Sequence, residues 1–72
     1  MALDDRQAVL WSLSAKRSTA KCVIHAEPTW TELILLQDEE VAFRESFPDE
    51  NTARVRASAL HERLLEKGWR AS

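Results

Sequence analysis

WTELILLQDEEVAFRESF, residues 30 to 47, is the stretch on which the fold turns. Its first half, Trp30 to Gln37, is the most apolar segment of the chain. Its second half, Glu40 to Phe47, alternates, with Val41, Phe43 and Phe47 on one face. Asp38-Glu39 between them is short enough for a hairpin turn, although a two-residue turn prefers Asn-Gly or Asp-Gly. Such a loop pairs Leu36 with Val41, Ile34 with Phe43 and Trp30 with Phe47, which assembles one coherent core face. It also sets Glu32 opposite Glu45, a like-charge pair costing on the order of a few tenths of a kcal/mol. An odd-length loop would instead place Leu33 and Leu35 beside Phe43, but it usually wants a left-handed glycine. The even loop is the expected register. It leaves Leu33 and Leu35 on the opposite face, where full cover would stabilise the fold by roughly 1.5–3 kcal/mol each. That cover is expected from Leu10, Trp11 and Leu13 of the same chain, or from a second copy across a symmetric dimer.

Upstream, Lys21 to Glu27 carries the β-branched pair Val23 and Ile24 and stops at Pro28. With Pro28-Thr29 as a second short turn, three strands form an antiparallel meander. Residues 16 to 19, KRST, read as a polar connector. At the N-terminus Asp4 is a candidate helix cap with Gln7 three residues on. Leu3, Leu10, Trp11 and Leu13 share one broad side at helical spacing, so a short helix is expected over residues 4 to 13. VLWSLS within it also alternates like a strand. Downstream, Pro48 ends the third strand, Asp49 can cap a helix and Glu50 suits its first turn. Ala53, Ala57, Leu60 and Leu64 form one narrow apolar stripe. Gly68 then fits the left-handed position after the helix, which sets Trp69 where the apolar contact of a Schellman ending falls, against Leu64. The expected fold is α+β: a three-stranded antiparallel meander with a C-terminal helix on one face and a short N-terminal helix, in the order α-β-β-β-α. Residues 1–72 make a single domain, with 1–19 as N-terminal segment and connector and 20–69 as the core.

A chain of 72 residues is near the lower size limit for a self-sufficient core. Its lone cysteine, Cys22, has no partner within the chain and suits a reducing, cytoplasmic setting. Two histidines and one cysteine are too few for a closed tetrahedral zinc site without carboxylates, so no metal or other cofactor is expected. The two early aspartates do not fit a secretory signal, and no apolar run approaches a bilayer span. Ten basic against twelve acidic residues, a net charge of −2, argue against nonspecific nucleic-acid binding.

The stretch from Trp30 to Trp69 resembles a set of small, uncharacterised bacterial domains. These pair a three-stranded meander with a helix of the form Ala-x3-Ala ending in Leu-x3-Gly-Trp, matched here by Ala53, Ala57, Leu64, Gly68 and Trp69. The resemblance is a packing signature and implies no activity. This chain departs from it at Asp38-Glu39, where the usual turn has Asp-Gly. The order α-β-β-β-α is also similar to double-stranded RNA-binding domains, which meet phosphates with lysines at the start of their last helix. Here Asp49, Glu50 and Asn51 stand at that point.

Candidate chemistry is sparse. Cys22 and His25 are three apart on a strand and point to opposite faces, and His61 falls at the edge of the apolar stripe. The acidic run Asp38-Glu39-Glu40 lacks a calcium-loop pattern, and no nucleophile elbow or glycine-rich phosphate loop occurs. On the last helix Arg56, Arg63 and Lys67 fall within about 40° of one another on ideal geometry, beside an acidic row of Glu62 and Glu66. Arg63 and Lys67 suit the helix C-terminus, and Arg56 can reach a sheet glutamate. No acid, base and nucleophile converge. The expected function is therefore a non-enzymatic protein-interaction module, self-associating as a homodimer or binding an unidentified protein. Its expected surface comprises Leu33, Leu35, Trp11, Arg56, Arg63 and Lys67. The alternative is a nucleic-acid-binding module using Lys16, Arg17, Lys21 and the arginine row.

Overall fold

The segment expected to be an N-terminal helix is a strand. A computed structural model describes residues 7–71 of the protein. Its elements are β1 (Gln7–Ala15), β2 (Ser18–Ala26), β3 (Thr31–Gln37), β4 (Glu40–Phe47), α1 (Glu50–Glu66) and β5 (Arg70–Ala71). The class is α+β with an antiparallel sheet and one C-terminal helix, but the sheet has five strands in the order β4-β3-β2-β1-β5. Residues 4 to 6 of the expected helix, including the Asp4 cap, and Leu3 lie outside the described residues. The strand wins over the helix through a long-range term that local spacing does not show. β2 is buried at Cys22, Val23 and Ile24, and β1 satisfies its outer backbone groups while setting Trp11 opposite Cys22 and Leu13 opposite Ala20. The polar connector shrinks to Lys16-Arg17, since Ser18 and Thr19 already pair with Ala15 and Ser14. The topological likeness to double-stranded RNA-binding domains goes with the lost helix.

Both edge hairpins carry a bulge, and the bulges decide which residues face the helix. In β1 the pairing steps from Val9↔Val23 to Trp11↔Cys22, so Leu10 is the extra residue. In β4 it steps from Leu36↔Val41 to Leu35↔Phe43, so Ala42 is extra. The expected two-residue loop and its first pair, Leu36↔Val41, are present. Beyond Ala42 every expected pair is displaced: Phe43 faces Leu35, Glu45 faces Leu33 and Phe47 faces Thr31, while Glu32 faces Ser46. The bulge moves Phe43, Glu45 and Phe47 onto the face of Leu33 and Leu35, and it removes the Glu32–Glu45 clash. Leu33 and Leu35 thus belong to the core under α1, with Cys22, Ile24, Ala53 and Ala57, and Leu10, Trp11, Phe47 and Leu60 packed against them. Ile34 and Leu36 lie on the other face. The expected faces of β3 are exchanged.

The Asp38-Glu39 turn manages without glycine at a conformational cost. Both residues have positive φ, 53° and 70°, as a type I′ turn demands. Asp38 offsets part of this by extending the ladder onto β2. Its N–H donates to the Thr19 carbonyl at 3.0 Å, and its Oδ1 accepts the Thr19 N–H at 2.9 Å. Glu39 makes no comparable bond to this ladder. Glu39→Gly is therefore expected to raise stability by about 0.5–1 kcal/mol, the left-handed penalty less glycine's extra unfolded entropy. A thermal midpoint that fails to rise would remove the strain argument.

The helix, its Asp49 cap and the left-handed Gly68 follow the expected reading. The Asp49 carboxylate accepts the Thr52 N–H at 2.7 Å and the Thr52 hydroxyl at 2.9 Å. These bonds hold its pKa below the usual carboxylate value. The cap is therefore fully formed above the unfolded pKa and is lost as pH falls through the lowered one. Ala53 and Ala57 are buried against the sheet, and Leu60 and Leu64 are half-buried. At the far end Gly68 has φ +101°. Its N–H donates to the Leu65 carbonyl at 3.1 Å and that of Trp69 to the Leu64 carbonyl at 3.0 Å, the two bonds of a Schellman motif.

The motif also turns the chain into β5, an element with no separate signal in the sequence. β5 pairs antiparallel with β1 at Leu13↔Ala71 and Ser14↔Arg70. Since successive strands from β1 to β4 alternate in direction, β4 and β5 run the same way, and α1 is the crossover between them. Its 17 residues span ~25 Å, enough to cross the ~19 Å from one edge strand to the other obliquely. A Cβ at Gly68 would meet nothing within 4 Å, so Gly68→Ala isolates the backbone term. It is expected to cost about 1 kcal/mol through positive φ alone, and an unchanged denaturation midpoint would discard the capping account.

Candidate functional site

With α1 on one side, the other side of the sheet is uncovered among the described residues. The register lays its side chains out in rows across β1, β2, β3 and β4. One row runs Gln7, His25, Glu32, Ser46; the next Val9, Val23, Ile34, Arg44; the third Ser12, Lys21, Leu36, Val41. The middle row is apolar over three strands and continues diagonally through Leu36 to Val41. Val9 and Val41 keep 42% and 49% of their surface in water, whereas Val23 between them keeps 5%. Val23 is thus the floor of the patch and Val9, Ile34, Leu36 and Val41 are its surface.

At one end of this face stands a polar group. His25 Nε2 donates to Glu27 Oε1 at 2.8 Å, which in the neutral ring leaves Nδ1 as a buried acceptor without a donor. The Trp30 ring lies 6.0 Å from that of His25 and is 40% exposed. Trp30 sits in the turn before β3, where its carbonyl accepts the Glu27 N–H at 2.8 Å. It is not the first strand residue and does not pair with Phe47.

The residues singled out from sequence are dispersed. Leu33 is fully buried, Leu35 half-buried, and Trp11 is bonded to the helix. These three form core and not surface, which corrects the expected interaction face. Arg56 Nε lies 3.5 Å from Glu45 Oε1, the sheet glutamate its position suggests. Arg63 occupies the last helical turn and Lys67 the C-cap. Lys21 projects from the opposite side of the sheet, so the basic residues do not form one patch. Cys22 and His25 do point to opposite faces. Cys22 is buried under α1, and that desolvation pushes its thiol up to about 11. His61 packs edge-on to Trp11, with ring centroids 5.2 Å apart and planes at 63°. Among the described residues no group of three His, Cys, Asp or Glu side chains could hold a metal ion, and no helix is long and apolar enough to cross a membrane.

Sequence reasoning missed the open-face group Val9, Val23, Ile34, Leu36 and Val41. That both faces of β3 are apolar and need two separate covers was legible, but which pair faces outward was not, because the Ala42 bulge decides it. Comparisons with protein-family models, with curated protein sequences and with solved structures find no match for the chain.

Proposed function

We propose that the protein is a non-enzymatic interaction module that self-associates as a homodimer through the open face of its sheet. The observation that carries this reading is the apolar track of Val9, Ile34, Leu36 and Val41 over Val23, on a face that α1 does not reach. A two-layer domain buries one face of its sheet against its helix. A second apolar face needs a further layer, since contiguous apolar surface in water marks an interaction site or an aggregation hazard. Each aliphatic side chain fully covered contributes roughly 1.5–3 kcal/mol, a large share for so short a chain. The buried, lone Cys22 fits a reducing cytoplasmic setting.

Nucleic acid is a poorer partner. Lys21 and the Arg56 row stand on opposite sides of the sheet, and Arg56 is already beside Glu45. The net charge is −2.

Size-exclusion chromatography with light scattering tests the proposal. The expected mass is twice the 8.3 kDa of one chain. Ile34→Lys is expected to return the single-chain mass while the far-ultraviolet circular dichroism is unchanged. A wild-type protein that is monomeric at the highest attainable concentration would overturn the reading.

A further inference from the structure

We draw no further inference here: the strongest candidate, the uncovered sheet face of Val9, Ile34, Leu36 and Val41 over Val23, belongs to the surface already described, and nothing in the structure shows what covers it.

Discussion

Leu33→Ala is expected to cost about 2–5 kcal/mol, the range for deleting a buried leucine side chain. The chain has 72 residues, so its whole stability is roughly 4–11 kcal/mol, and the variant should lose a large share of it. Leu33 is 0% exposed. It sits between Ile24 on β2 and Glu45 on β4, in a cluster roofed by Ala53 and Ala57. The alanines make the site unforgiving, because neither has a side chain that can swing into the void, so most of the cavity term persists. Ile34→Ala, one residue on, is expected to cost only about 1 kcal/mol in the monomer, since that side chain is already half in water. Urea denaturation of both variants measures the contrast. Were Ile34 the costlier site, the face assignment made by the Ala42 bulge would be wrong.

That bulge also explains where the sequence stops being legible. The two-residue loop at Asp38-Glu39, the strand from Glu40 to Phe47, the Asp49 cap, the Ala53-Ala57 stripe and the left-handed Gly68 all follow from local chemistry, and each stands as read. The faces of β3 do not. One extra residue at Ala42 exchanges the sets Leu33/Leu35 and Ile34/Leu36, and alanine at a bulge carries no distinguishing side chain. The competing clue was the Glu32–Glu45 clash in the regular register, which the bulge relieves, but its cost is too small to choose a register alone. β1 was obscured for a different reason. QAVLWSLSA has apolar positions compatible with either period, and its choice is made by β2, a partner whose own need for a neighbour is a tertiary property. β5 is two residues long and exists only because the Gly68 turn delivers it to β1. The candidate site inherits both errors: with the faces exchanged and the N-terminal segment built into the sheet, the uncovered residues become Val9, Ile34, Leu36 and Val41.

The remaining large effect concerns Trp11, which joins β1 to the helix across 46 residues of sequence. Its Nε1–H donates to the Ala57 carbonyl at 3.1 Å, and its ring meets His61 edge-on. The Ala57 carbonyl lies inside α1, where the N–H four residues on takes one lone pair and leaves the other for the indole. Ala57 is 2% exposed, and a larger residue there would hold the backbone away from the ring, so alanine and tryptophan act as a pair. Trp11→Phe keeps most of the apolar area and loses the N–H, so it is expected to cost about 0.5–1.5 kcal/mol. Trp11→Ala removes the area as well and is expected to cost about 3–5 kcal/mol, comparable to Leu33→Ala. The two substitutions divide the role of the residue into its bond and its bulk. His61→Ala made in the wild-type and Trp11→Ala backgrounds adds the ring contact, because a coupling near zero between the two would mean that the histidine edge adds nothing to the packing. If Trp11→Ala proves as mild as Trp11→Phe, β1 is held by its ladder to β2 alone, and the indole is a passenger under the helix.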